Sequence, residues 1–179
     1  MMINIQQIHH VAYRCNDAKE TVEWYQDNLN MEFLVAIAED KVPSTKAPDP
    51  YMHVFLDAGQ GNILAFFELP NSPAMGKDPN TPEWVQHIAF EVENRDDLLA
   101  AKEELEAKGI DVIGVVNHGI IHSIYFFDPN GHRLELTYRD ATEEQLKELK
   151  RVAPEMVAEW SITKRAPKHA AWLHSEEFE

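Results

Sequence analysis

The chain has 179 residues, of which 44% are hydrophobic and 26% charged, the composition of one globular domain or two small modules that share a core. Its formal net charge of −15 repels phosphate groups and so excludes nucleic acid and anionic membranes as expected partners. No apolar run approaches the roughly 20 residues that span a bilayer. The N-terminus has no basic region followed by an apolar stretch, so we expect no secretion signal. The single cysteine, Cys15, cannot form an internal disulfide, which fits a cytoplasmic protein.

One pattern occurs twice along the chain. Residues 8–13 and 85–90 both resemble strands, and they carry His10 and His87 at matching places. Each histidine is followed seven residues later by a residue that can cap a helix. A repeated strand–helix unit with matching histidines predicts a metal site shared by two halves of the protein.

The predicted order of elements is β-α-β-β-β, once in each half. Module one, about residues 5–70, has strands over 7–14, 31–38, 51–56 and 62–69 and a helix from the cap Asp17 to Asn30. A proline-rich linker over 70–82 leads to module two, about residues 83–140, with strands over 85–92, 110–116, 120–127 and 132–138 and a helix from the cap Asn94 to Gly109.

The remainder, residues 141–179, is predicted to be a C-terminal helical extension of a single domain that covers residues 1–140. It begins with a capping box from Thr142 to Gln145 and carries an apolar stripe. Pro154 is expected to kink or split the helix, and Trp160 and Trp172 are expected to serve packing.

The turn Asp128-Pro129-Asn130-Gly131 sets the register of the last hairpin. Its residue types predict a type I turn followed by a glycine in the left-handed region. In that register Asp128 faces His132, so Tyr125 faces Glu135 on the same face of the sheet.

Glu135 has apolar neighbours in its strand, and a buried carboxylate needs a cation. Together, His10, His87 and Glu135 offer two imidazoles and one carboxylate. This set leaves up to three positions open on an octahedral metal, which is typical of non-haem Fe(II), with Mn(II) as the alternative.

These repeated modules resemble the vicinal oxygen chelate superfamily, which includes glyoxalase I, methylmalonyl-CoA epimerase, fosfomycin- and bleomycin-resistance proteins and type I extradiol dioxygenases. The resemblance covers about residues 5–139 and implies an α+β fold whose two β-α-β-β-β modules curl around a metal cleft. It assigns the metal ligands to His10, His87 and Glu135. The fourth ligand position of the lyases and isomerases falls on Ala65, which cannot bind a metal. Glu68 lies three residues further on and is expected to point to the other face of the sheet.

A more local resemblance is to the extradiol enzymes. Their order of a histidine, an apolar-Tyr pair, an Asp-Pro-x-Gly turn and a glutamate is matched by His118, Ile124-Tyr125, residues 128–131 and Glu135. It implies that His118 and Tyr125 are catalytic residues that contact the substrate or the oxygen species. The larger members carry a further acid–base histidine before the second metal ligand. Residues 54–86 contain none here, and His53, His122 or a histidine of the tail would have to replace it.

The sequence therefore predicts a divalent-metal enzyme, with Fe(II) preferred, that acts on a small aromatic or vicinal-oxygen substrate as an extradiol-type dioxygenase. A lyase or isomerase of the glyoxalase or epimerase type is the alternative, and a metal-free drug-binding resistance protein is a third hypothesis. The resemblance and the apolar stripe of the tail also predict a homodimer.

Overall fold

The computed structural model describes residues 3–174, apart from the side chains of Leu173 and His174. The fold is α+β, with two tandem modules and a C-terminal helix, as predicted. Module one contains one helix and four strands: β1 (Val11–Cys15), α1 (Ala18–Leu29), β2 (Glu32–Glu39), β3 (Tyr51–Asp57) and β4 (Ile63–Glu68). Module two repeats this order: β5 (His87–Glu91), α2 (Arg95–Ala107), β6 (Ile113–Asn117), β7 (Ile121–Phe127) and β8 (Arg133–Arg139). The helix α3 (Glu143–Thr163) and a short 3-10 helix (Ala171–His174) follow.

Each module forms its own four-stranded sheet, and the two sheets have the same strand order. The first is β1-β4-β3-β2 and the second is β5-β8-β7-β6. In the first sheet β1 runs parallel to β4, whereas β4 and β3 are antiparallel. The repeat seen in the sequence is therefore a repeat of topology as well.

The described residues divide into two compact units, residues 3–86 with 127–133 and residues 87–126 with 134–174. Unit 1 thus takes in the turn that connects β7 and β8. The prediction that residues 1–140 act as one domain stays a prediction.

Helix α1 begins and ends as its sequence predicts. The Asp17 side chain accepts a hydrogen bond from the Glu20 N–H, and Asn30 ends the helix in the left-handed region at φ 52°. Its buried face carries Val22 and Tyr25, and the Tyr25 ring lies 5.1 Å from that of Phe66 in β4. This contact identifies the face of the first sheet that packs on α1.

The Asp128 turn is held by backbone and side-chain contacts within unit 1. The Gly131 N–H donates to the Asp128 carbonyl at 3.0 Å, and Gly131 has φ 84°, as a left-handed glycine in this turn requires. The Tyr25 hydroxyl donates to the buried Asp128 carboxylate at 3.1 Å. Burial, followed by the charge and hydrogen bond of Asp128, raises the pKa of Tyr25 well above its usual value.

Helix α3 shows the predicted capping box between Thr142 and Gln145. It continues from Glu143 to Thr163 through Pro154, so the predicted split does not occur. Pro154 has no N–H group, so the carbonyl of Lys150 loses its helical hydrogen bond. Lys150 and Pro154 are both exposed, and water can therefore satisfy that carbonyl. No helix among residues 3–174 is long and apolar enough to cross a membrane.

Candidate active site

The register of the β7–β8 hairpin is the one predicted from its turn. The Asp128 N–H donates to the His132 carbonyl at 3.1 Å, which pairs the residues that flank the turn. Further along the ladder, the Ser123 hydroxyl donates to the Thr137 hydroxyl at 3.1 Å, and both residues are buried. Since Tyr125 and Glu135 lie midway between these two pairs, they occupy the same face of the sheet.

Glu135 is a buried carboxylate with one satisfied oxygen. Its side chain is 3% exposed, and its Oε2 lies 2.9 Å from Nε2 of His87 at the start of β5. Its Oε1 is buried without a hydrogen-bond partner in the part of the chain that the structure describes. A carboxylate oxygen of this kind is costly to bury, and a cation would satisfy it.

The spacing of these two groups fits a shared metal ion as well as a hydrogen bond. Two neighbouring ligands at right angles, each about 2.1 Å from one ion, would lie about 3.0 Å apart, close to the observed separation. An imidazole and a carboxylate are also two of the three ligands in the non-haem iron set. The donor chemistry of His87 and Glu135 therefore fits a divalent metal.

Tyr125 connects this pair to the predicted catalytic histidine. The Tyr125 hydroxyl lies 2.8 Å from Nε2 of His118, and the ring of Tyr125 meets that of His87 edge-on at 6.0 Å. Tyr125 is 7% exposed, whereas His118 is half-buried. We call His87, His118, Tyr125 and Glu135 the Tyr125 cluster, which contains four of the five site residues that the sequence predicts.

The fifth residue, His10, belongs to unit 1. It precedes β1, which begins at Val11, and its ring lies 6.2 Å from that of His53 and 5.7 Å from that of Phe55. Its Nδ1 lies 2.8 Å from Nδ1 of His9. The two neighbouring side chains contact each other because the alternation of strand side chains does not extend to residues ahead of β1.

The carboxylate next to Ala65 has a structural partner. Glu68 accepts a hydrogen bond from the Ala18 N–H at 2.7 Å and so satisfies one of the free amides at the start of α1. This places Glu68 on the helix face of β4, as the strand period predicts. Ala65 is fully buried and pairs with Phe55, so it belongs to the opposite face.

His53 is a polar residue of the same face whose surroundings the sequence did not reveal. It is 9% exposed, and its Nε2 has no hydrogen-bond partner among the described residues. Burial, and then the neighbouring His10, lower the pKa of His53. A histidine in the middle of an apolar strand was the only feature of the sequence that could have marked His53 as a candidate. Its aromatic surroundings become visible only from the pairing of β3 with β4.

The other candidate histidines have ordinary surface partners. His122 lies 3.0 Å from the Asp140 carboxylate, and His169 lies 3.0 Å from the Glu159 carboxylate. The side chain of His174 lies outside the described part. Within either unit, for residues 3–174, no group of three or more His, Cys, Asp or Glu side chains is arranged to hold a metal ion.

The comparison with protein families decides where the chain belongs. The model of the glyoxalase/bleomycin resistance protein/dioxygenase superfamily matches residues 7–136, which is more than half of the chain. The chain belongs to this superfamily. The predicted membership of the vicinal oxygen chelate superfamily is thereby confirmed, and the match covers both modules but not the C-terminal helix.

Individual proteins similar to this chain include two dioxygenases and a glyoxalase family protein. The chain is 26% identical over 132 residues to biphenyl-2,3-diol 1,2-dioxygenase 3 of Rhodococcus globerulus. This match covers 73% of this chain and 62% of that protein. A second match, to biphenyl-2,3-diol 1,2-dioxygenase 2 of the same organism, is 36% identical over 52 residues and covers 29% of this chain and 27% of that protein. The matches thus span less than two thirds of these dioxygenases. The crystal structure of a glyoxalase family protein from Enterococcus faecalis is 28% identical with a TM-score of 0.53, covering 74% of this chain and 97% of that one.

Proposed function

We propose that this protein is a metal-dependent oxygenase of the extradiol type, acting on a small aromatic substrate with two neighbouring oxygens. The observation that carries the proposal is the Tyr125 cluster, in which a buried carboxylate, an imidazole and a phenol–imidazole pair lie together. The match to two dioxygenases of 2,3-dihydroxybiphenyl supports the same reaction class.

The residues proposed to hold the metal are His87, Glu135 and His10. The first two are in contact at 2.9 Å, and His10 is added because it is equivalent to His87 in the repeat. The ion, Fe(II) by preference and Mn(II) otherwise, would chelate the two substrate oxygens and activate dioxygen when bound. The Oε1 atom of Glu135 is the group whose burial most needs that ion.

His118 and Tyr125 are proposed to move and hold a proton beside the substrate. Their 2.8 Å contact joins an imidazole, the side chain that most often serves as a general acid or base, to a buried hydroxyl. An imidazole in this place can accept a proton from a substrate hydroxyl and return it to an oxygen atom at a later stage of the reaction. Because Tyr125 is held between His118 and His87, its hydroxyl has a fixed position from which to donate a hydrogen bond.

The lyase or isomerase alternative needs a fourth protein ligand on the metal. Ala65 occupies the equivalent position, and the nearby Glu68 is engaged with the N-terminus of α1. An open coordination position suits a substrate that shares the metal with dioxygen. This favours the oxygenase over the lyase and isomerase alternative.

Metal analysis and oxygen uptake test the proposal together. We expect anaerobically purified protein to bind about one divalent ion per chain, and the Fe(II) form to consume oxygen with at least one member of a catechol panel. A metal-loaded protein that consumes no oxygen with any catechol but isomerises a hemithioacetal would support the alternative and refute the oxygenase.

The homodimer stays a proposal, supported by the apolar residues that α3 leaves uncovered. Val157 is 68% exposed, Trp160 49% and Ile162 85%. Side chains of this size are usually covered in the working assembly when they lie together on one element. Sedimentation should give twice the chain mass of 20.6 kDa, and a chain-sized species at micromolar concentration would refute the dimer.

A cytoplasmic location is proposed from the single buried thiol of Cys15.

A further inference from the structure

His53 is a buried imidazole to which the proposed reaction gives no task. It lies in β3 with 9% of its surface exposed, and its Nε2 has no partner for hydrogen bonding in the described chain. Nearly all buried polar atoms in folded proteins are hydrogen-bonded, because losing water without a replacement costs free energy. A buried nitrogen without a partner therefore marks a place where a ligand would complete the structure.

The ring of His53 is held in place by two aromatic neighbours. It stacks on Phe67 with ring centroids 3.5 Å apart and planes at 17°, and it packs against Phe55 at 4.1 Å. These contacts restrict rotation of the imidazole. The position of Nε2 is thus fixed before any ligand binds, which lowers the entropy cost of a hydrogen bond to it.

The neighbourhood of His53 includes a proposed metal ligand. Strand pairing of His53 with Phe67 and of Phe55 with Ala65 puts these side chains on one face of the first sheet. The ring of His10 reaches the same face, 6.2 Å from His53 and 5.7 Å from Phe55.

We propose that His53 Nε2 forms a hydrogen bond with an oxygen of an aromatic diol substrate, and that Phe55 and Phe67 contact the ring of that substrate. Both phenylalanines are half-buried and present apolar surface beside the polar nitrogen. A planar ring with an oxygen substituent matches that combination, since the ring meets the aromatic edges and the oxygen meets Nε2. This inference rests on the proposed function and adds a residue that selects the substrate.

The test compares two variants of His53 with wild-type protein. His53→Phe keeps the ring and its stacking but removes the nitrogen, whereas His53→Gln keeps a polar atom near the position of Nε2. His169→Gln, at an exposed histidine paired with Glu159, is the matched control. Catechol binding to the Fe(II)-loaded proteins is measured without oxygen by calorimetry, and kcat, KM, metal content and melting temperature are measured alongside.

We expect His53→Phe to raise the Kd and KM for catechol about 10-fold or more, with kcat changed less than about 3-fold. His53→Gln should recover most of the affinity, and His169→Gln should match wild type. A Kd for His53→Phe within about 2-fold of wild type, at equal metal content, would overturn the inference while leaving the oxygenase intact.

A second readout needs no variant. In wild-type protein the nitrogen NMR signal of His53 Nε2 should shift when catechol is added, because the atom gains a hydrogen-bond partner. An unchanged signal at saturating catechol would contradict the contact. Wild-type protein that binds no catechol and consumes no oxygen would instead refute the proposed function, and the inference with it.

Discussion

The last strands of the two modules, β4 and β8, have equivalent places in their sheets but opposite distributions of charge. In β8 the carboxylate of Glu135 lies on the face of Tyr125 and contacts His87 at 2.9 Å. In β4 the matching residue is Ala65, and the only carboxylate of that strand, Glu68, binds the N-terminus of α1 at 2.7 Å. A duplicated fold can therefore use a glutamate for a candidate site in one copy and for helix capping in the other. A shift of three residues along the strand changes the face, and with it the role.

Removing each carboxylate in turn should give opposite results. Glu135→Gln keeps the size of the side chain but removes a proposed ligand, so metal affinity should fall by at least about 10²-fold and turnover should be lost. Glu68→Gln should keep the metal and turnover and lower stability by about 1 kcal/mol, because a neutral amide is a weaker partner for the helix start. Metal content and urea denaturation of both variants measure the contrast. Equal metal binding in the two variants would remove Glu135 from the site.

The proton path of the second module gives the next largest expected effect. His118→Phe should keep the metal and lower turnover by about 10²–10⁴-fold, since it removes the proposed acid–base group while Tyr125 stays in place. His169→Phe is the control, because that histidine lies on the surface of α3. If His118 only supports its turn, the variant would lose about 1 kcal/mol of stability and retain its turnover per folded enzyme.

Restoring a carboxylate to the first module sharpens the comparison from the other side. In Ala65→Glu the new side chain would start from the face that carries His53 and Phe55, where it could occupy a metal position left open for dioxygen. We expect oxygen uptake to fall by about 10-fold or more while the metal stays bound. Ala65→Ser is the control for added bulk. Unchanged oxygen uptake in well-folded Ala65→Glu would show that position 65 does not border the metal.

The smallest effect concerns the contact that holds the Asp128 turn. Tyr25→Phe removes one hydrogen bond to the buried Asp128 carboxylate. The N–H groups of Asn130 and His132 still donate to that carboxylate in the variant. The free energy of unfolding should fall by about 1.5–3 kcal/mol, with turnover unchanged. Urea denaturation measures the first quantity. A change below about 0.3 kcal/mol would mean that the remaining donors, the N–H groups of Asn130 and His132 and the side-chain amide of Asn130, satisfy Asp128 without Tyr25.

Much of this architecture followed from local sequence. The caps Asp17, Asn94 and Thr142 each sit where their helix begins, because a short polar side chain satisfies amides that the helix leaves free. The Asp128 turn fixed the facing of Tyr125 and Glu135, since a two-residue period leaves no freedom once one pair is known.

What the sequence could not supply depended on contacts between distant segments. The environment of His53 needs the pairing of β3 with β4, and the engagement of Glu68 needs the position of α1 against the sheet. The contact of His9 with His10 needs the exact start of β1 at Val11, and strand ends are set by tertiary packing rather than by propensity.

The central claim is that the Tyr125 cluster supports oxygenation of an aromatic diol. The most direct measurement is mass spectrometry of the product formed by the Fe(II)-loaded protein from a catechol and isotopically labelled dioxygen. We predict a ring-opened product that contains both atoms of one labelled dioxygen, formed in equal amount to the oxygen consumed. A product without label, or an unopened ring in the presence of bound metal, would contradict the account.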